Sequence, residues 1–335
     1  MRKGYIIRFG IYITAVLLLA AYACDGGTGP GDGNETGNWI ILGKKTPSSP
    51  YTFRAVNADT GVEVYRRQNN KGGLVFDLKI RQEAKEIYLL LWGGLLAIYD
   101  QQGNELIKYD VENFYVNDLI IIEETTGCCW VVIERMGRCT KYNREGRGIY
   151  SLDLNKKPLD GDIYDSDYTF CVLGTNSYEF TVHKISSVGE IIFEKDLDFE
   201  EDHTNDNAYQ LEINQSNGDI WVSGQERVLV ISPDGEDLRD ISLETGDHVK
   251  DMKIDSETGD VWILADTGVF KLGSNGNVKV TRNDLSGDTL TVNDEDGTVW
   301  ITDPWENTIY RLDGDGNSKL SIEGRDEFIG TMYLD

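Results

Sequence analysis

An aromatic residue inside a short apolar strand returns along this chain about every 40 residues. The copies are Asn38-Trp39-Ile40-Ile41, Ile87-Tyr88-Leu89-Leu90, Cys129-Trp130-Val131-Val132 and Thr169-Phe170-Cys171-Val172. They continue in Ile220-Trp221-Val222, Val261-Trp262-Ile263 and Val299-Trp300-Ile301. The spacings are 49, 42, 40, 51, 41 and 38 residues, and the Phe170 copy is the most divergent. A repeat of this length with several strands per unit cannot bury its faces alone and must stack against its neighbours. It therefore predicts an all-β propeller.

The unit from Val249 to Asp288 shows how one repeat is built. Val249-Lys250-Asp251-Met252-Lys253-Ile254 reads as an inner strand a, Asp260-Val261-Trp262-Ile263-Leu264 as b, Val269-Phe270-Lys271-Leu272 as c and Val278-Lys279-Val280-Thr281 as d. Thr-Gly and Asn-Gly turns punctuate them, as hairpins require. Long segments of helical period are absent beyond the N-terminus. Trp39 lies on a b strand with no a strand before it. The C-terminal Phe328-Ile329-Gly330-Thr331-Met332-Tyr333-Leu334 fits the a pattern. The expectation is a seven-bladed propeller of four-stranded antiparallel blades, closed by this C-terminal strand so that no open edge is left. The alternative is six blades, with the Phe170 region as an insertion.

At 335 residues and 40% hydrophobic content, the chain is large enough to bury a substantial core. Its 58 acidic against 32 basic residues give a net charge of −26. That argues against binding nucleic-acid phosphates or docking electrostatically on anionic lipid. Arg2, Lys3 and Arg8 precede an apolar run from Phe9 to Ala23, the pattern of an export signal. Cys24 follows Ala21-Tyr22-Ala23, and Asp25-Gly26-Gly27-Thr28-Gly29-Pro30-Gly31 reads as a flexible tether. The expected organisation is a signal peptide at 1–23, a tether at 24–37 and the propeller at 38–335.

Two resemblances refine this. Ala21-Tyr22-Ala23-Cys24 resembles the lipobox of bacterial lipoproteins, with Ala21 where Leu is usual and Tyr22 where a smaller residue is usual. The resemblance implies lipidation at Cys24, hence a membrane anchor with the propeller outside the cytoplasm. Asp260-Val261-Trp262-Ile263-Leu264-Ala265-Asp266 and Thr298-Val299-Trp300-Ile301-Thr302-Asp303 resemble the NHL-type repeat. So do Ile309-Tyr310-Arg311-Leu312-Asp313-Gly314-Asp315-Gly316-Asn317, Val228-Leu229-Val230-Ile231-Ser232-Pro233-Asp234-Gly235 and Ile98-Tyr99-Asp100-Gln101-Gln102-Gly103-Asn104. The wider superfamily includes streptogramin-lyase-like and SMP-30-like propellers. These motifs specify a blade and not a reaction.

The a strands share a pattern of apolar, any, polar, Leu or Met, any, apolar. Asp77, Asp118, Gln210, Asp251 and Thr331 hold its polar slot. If the strands converge, these oxygens suit a hard cation such as Ca²⁺ or Mg²⁺. The weightier reading is structural: short polar side chains hydrogen-bond neighbouring backbone. His203 and His248 each precede an a strand beside several carboxylates, and are candidates for a general base or metal ligand. Solvated loop residues are the plainer reading of both. Trp92 and Trp305 fall in b-to-c turns, on the face where propellers bind, and are candidates to anchor a ligand or partner. Asp313-Gly314-Asp315-Gly316-Asn317 resembles the start of an EF-hand loop, but Ser318 and Gly324 stand where Gly and Glu belong, so it reads as a turn. Cys128, Cys129, Cys139 and Cys171 leave room for one disulfide after export, while a tight turn at Met136-Gly137 would set Cys139 opposite Glu134.

The function expected is that of an exported, lipid-anchored propeller that binds a ligand or a protein partner in the cell envelope. The rival is a metal-dependent lyase or lactonase using Asp77, Asp118, Asp251 and His248. A third reading is an envelope sensor or assembly component with Trp92 and Trp305 as anchors.

Overall fold

The computed structural model describes residues 17–20, 38–43, 53–57, 63–67, 75–81, 84–91, 93–111, 119–176, 179–199, 209–224, 226–243, 248–293, 296–303, 306 and 308–323. Every sheet among them has four antiparallel strands in sequence order, so each blade is a meander. Six blades are self-contained, each built from four consecutive strands between Val75 and Glu323. Numbered I to VI, they have inner strands Val75–Arg81, Leu119–Ile122, Lys157–Tyr164, Leu211–Ile213, Val249–Ile254 and Thr289–Val292. Successive inner strands lie side by side.

The count of self-contained blades is thus six, the alternative, and not seven. The Phe170 region is no insertion, because it forms the whole of blade III. The shortfall lies at the N-terminus. Asn38–Gly43, Phe53–Asn57 and Glu63–Arg67 supply only three strands. Leu17–Ala20, part of the apolar run read as an export signal, completes their sheet with Leu19 opposite Trp39. The slot expected for 328–334 is therefore taken from the other end of the chain. Residues 328–334 lie outside the described residues.

Hydrophobic burial lies between blades rather than in one central core. Second and third strands such as Glu86–Leu91, Val261–Ala265 and Gly268–Leu272 are buried along their whole length, because each faces a blade on both sides. Such strands read as unbroken apolar runs. Each buried aliphatic or aromatic side chain contributes about 1.5–3 kcal/mol. Tyr88 packs between blades I and II, Trp130 between II and III, Trp221 between IV and V, and Trp262 between V and VI. Phe170 breaks the phase: it packs toward blade II, stacked on Trp130 at 5.0 Å between centroids and 20° between planes. The residue of blade III that faces forward is Cys171, opposite Asp162 as Trp262 is opposite Lys253. One residue of offset puts Phe170 on the other face, because strand side chains alternate.

Outer strands such as Gly148–Asp153 and Asp237–Ser242 are mostly exposed. One rim of the blades is stitched together by a repeated contact. Lys141 Nζ donates to Ser187 O at 3.1 Å, Lys184 Nζ to Pro233 O at 2.9 Å and Lys271 Nζ to Gly314 O at 2.9 Å. In each case a third-strand lysine reaches the c-to-d turn of the next blade. The same turn carries a glycine that admits the neighbouring blade's side chain. At Gly146, with φ +83°, an added Cβ would lie 2.3 Å from the Tyr109 ring. This lower rim is committed to joining blades. The d-to-a and b-to-c connections lie on the opposite, upper face.

Candidate functional site: the central channel

The inner strands converge on a charged channel. Three of them carry a β-bulge just before an aspartate, between Val75 and Asp77, Pro158 and Asp160, and Val249 and Asp251. A bulge re-aims the side chain that follows it. Here it turns each carboxylate onto the next blade's inner strand. Asp77 accepts the Leu78 N–H at 2.8 Å through Oδ1 and the Ile120 N–H at 2.8 Å through Oδ2. Asp251 accepts Met252 N–H at 2.9 Å and Leu290 N–H at 2.8 Å. Asp160 accepts Leu211 N–H at 2.8 Å, and Asp162 accepts Ile163 N–H at 2.8 Å and Ile213 N–H at 2.9 Å. These bonds tie blade I to II, III to IV and V to VI.

The sequence-predicted slot residues divide accordingly. Asp77 and Asp251 occupy equivalent places, opposite Leu90 and Leu264, and are buried. Gln210 is half-buried and pairs with Ser223, its carbonyl accepting the Ser223 N–H at 2.9 Å while its own N–H meets Ser223 Oγ at 3.0 Å. Asp118 lies outside the described residues. In that strand Leu119 stands opposite Val132, so the register gives the slot to Leu119. Thr331 also lies outside the described residues. The slot in blade VI belongs to Thr289, whose hydroxyl meets that of Thr302 at 2.6 Å.

Two residues further along the same face are groups that sequence reasoning passed over: Lys79, Asp162, Glu212 and Lys253. Lys253 Nζ is paired with the Glu212 carboxylate. Burial works against the charge of Lys79, but Asp77, Asp160, Asp162 and Asp251 outweigh it and hold the ammonium above its usual range. Burial, reinforced by Lys79, pushes Lys253 down to about 8. Burial also raises Asp77 to about 6 and Asp251 to about 7, and moves Asp160 and Asp162 upward. The missed signal was simple alternation: Asp77-x-Lys79 and Asp251-x-Lys253 share a face.

The other candidates stand apart. His248 is half-buried, and its carbonyl accepts the Asp266 N–H at 3.2 Å. Its Nδ1 is buried without a hydrogen-bond partner. His203, Cys24, Trp92 and Trp305 lie outside the described residues. His183 is a buried third-strand residue of blade III with Nδ1 3.1 Å from Glu194 Oε1. Burial lowers its pKa. Cys128, Cys129, Cys139 and Cys171 are all free. Cys139 stands opposite Val132 and not Glu134, because a 3₁₀ turn at Glu134–Met136 lengthens the hairpin. Among the described residues, no three His, Cys, Asp or Glu side chains converge as a metal site would require.

No protein-family model matches the sequence, and no curated protein does. Solved structures match the fold. Virginiamycin B lyase from Staphylococcus aureus superposes with a TM-score of 0.60 at 11% identity, over 74% of this chain and 83% of that one. A streptogramin B lyase superposes with a TM-score of 0.61 at 14% identity, over 76% of this chain and 85% of that one. AztD of Citrobacter koseri superposes with a TM-score of 0.57 at 10% identity, over 88% of this chain and 97% of that one. At such identities the likeness is one of architecture: the chain is a β-propeller of four-stranded antiparallel blades.

Proposed function

We propose that the protein is an exported, lipid-anchored propeller that binds a ligand or a protein partner in the cell envelope. One observation carries this reading: the channel aspartates each accept a main-chain N–H group of the next blade, so they act as links between blades. Three channel carboxylates, Asp77, Asp162 and Asp251, have each oxygen engaged by a backbone donor. A stiffened frame suits a surface that presents loops, and rigid scaffolds position binding loops well. The upper face is left for recognition, with Trp92 and Trp305 as proposed anchors. The charged start of the chain, the apolar run, Cys24 and the Gly-rich stretch support the address; processing before Cys24 would remove Leu17–Ala20 and with it the inner strand of the first sheet. The resemblance of the blade motifs around Trp262 and Trp300 to the NHL-type repeat supports a recognition role.

Capture of envelope proteins by the full-length chain tests the reading. The expected result is a partner retained by the native protein and lost with Trp92→Ala and Trp305→Ala. Incorporation of a labelled fatty acid, abolished by Cys24→Ala, tests the anchor.

A second reading, a metal-dependent lyase or lactonase, is favoured by the lyases among the structural neighbours. It requires a divalent cation on the upper face, with His248 or His203 as base. Turnover of a streptogramin B substrate by the full-length protein, dependent on added Mg²⁺, would establish it.

A further inference from the structure

The channel carries a charge imbalance that its internal pairs leave open. The cations set against Asp77, Asp160, Asp162, Asp251 and Glu212 are Lys79 and Lys253. Those two lysines show what kind of cation the channel accommodates. Lys253 sets a primary ammonium against the Glu212 carboxylate, and Lys79 holds another within the field of four aspartates. A metal ion needs several carboxylates converging on one point, and the described residues do not gather so. An ammonium needs only single acceptors at ordinary hydrogen-bond distance.

A second, independent feature points to a missing donor. Thr291 is 0% exposed and its Oγ1 has no hydrogen-bond partner. It stands opposite Trp300, as Lys253 stands opposite Trp262 and Glu212 opposite Trp221. The register therefore sets Thr291 in the same layer as the channel's charged side chains. A buried hydroxyl without a partner costs about 1–3 kcal/mol, and an N–H donor would relieve it.

We propose that the central channel binds an aliphatic di- or polyamine, with Asp160 and Asp162 as its principal acceptors and Thr291 Oγ1 as a further one. Asp160 and Asp162 suit this role because each is half-buried, retaining contact with solvent. A carboxylate also keeps free lone pairs after accepting one or two N–H groups. The upward shift of Asp160 and Asp162 agrees with a site whose negative charge is costly to bury alone. The inference stands whether the upper face recruits a protein or performs chemistry.

Titration calorimetry of the detergent-solubilised full-length protein with spermidine, at about 0.15 M salt to screen surface charge, provides the test. Saturable binding near one per chain is expected. Asp160→Asn with Asp162→Asn should weaken it at least about tenfold, the loss for charged hydrogen bonds. The exposed pair Asp234→Asn with Glu236→Gln should leave it unchanged. Thr291→Val removes only a hydroxyl, and should weaken binding several-fold even if the double variant does not fold. The proposal is overturned by an absence of saturable binding or by equal losses in the exposed control. Undiminished affinity in Thr291→Val, or displacement by Mg²⁺ at matched ionic strength, would overturn it as well.

Discussion

Asp251 of blade V accepts the main-chain N–H of Leu290 in blade VI at 2.8 Å while also accepting its own neighbour Met252 at 2.9 Å. Asp77 repeats the arrangement on Ile120, between blades I and II. Propeller blades in general meet through apolar faces. Here a carboxylate at the innermost strand adds a directional bond where the faces are narrowest.

Asp251→Asn keeps one acceptor oxygen but turns an N–H toward one of two backbone donors. The expected cost is about 1–3 kcal/mol, that of an unsatisfied buried group. Denaturant unfolding reads the total. Hydrogen exchange localises it: the Leu290 amide should lose protection before the amides of Val299–Asp303 do.

The same carboxylates set a pH dependence. Asp77 and Asp251 move from the usual 3.8 to about 6 and about 7 in the folded chain. The folded state therefore binds these protons more tightly than the unfolded state. Their contribution to stability is fully present below about pH 4 and is lost as pH rises through 6 to 7. Lys253, lowered to about 8, acts in the opposite sense: its contribution grows as pH climbs from 8 toward 10.5. The stability difference between the native protein and Asp251→Asn should accordingly widen from pH 7.5 down to 5. A difference that is flat across this window would remove Asp251 as its source.

Thiol reactivity should separate the cysteines. Burial pushes Cys129 up to about 12 and raises Cys139 and Cys171 too. Only the thiolate reacts readily. Leaving Cys24 aside, native labelling should modify Cys128, which is half-buried, and spare the other three until the chain unfolds. Mass mapping after brief alkylation checks this.

Gly146→Ala should destabilise the contact between blades I and II by at least about 1–2 kcal/mol. It forces an L side chain to φ +83° and drives its Cβ to 2.3 Å from the Tyr109 ring. Adding Tyr109→Ala should recover the steric part of the loss and leave the backbone part.

Much of this architecture was legible in the chain because each blade repeats its own local chemistry. The unit around Trp262 gave four strands and three turns that agree with the structure. Two of the differences share one cause: features fixed by register rather than by spacing. Phe170 matched the repeat in position yet faces the other way, and Cys171, which carries no aromatic signal, takes the forward place. In blade II the pairing sets Leu119 opposite Val132, the place that Asp77 and Asp251 take opposite Leu90 and Leu264. A slip of one residue reverses a side chain's face, and bulges such as that before Asp160 leave little trace in composition. The segment 328–334 fits the a-strand pattern and the run containing Leu17–Ala20 reads as an export signal, yet Leu17–Ala20 is the strand paired with Asn38–Gly43, because an apolar run serves either role. Lys79 and Lys253 were missed for a different reason, since a lysine in a strand ordinarily reads as solvent-facing.

The slot aspartates join blades and do not hold a cation. Thermal unfolding of the full-length protein, with and without Asp251→Asn and at matched ionic strength, tests it most directly when Ca²⁺, Mg²⁺ or Mn²⁺ is added. The substitution should lower Tm by the same amount with or without the cation, and no cation should raise Tm in a way that depends on Asp251. A cation-dependent rise in Tm that disappears in Asp251→Asn would contradict it and make this residue a ligand.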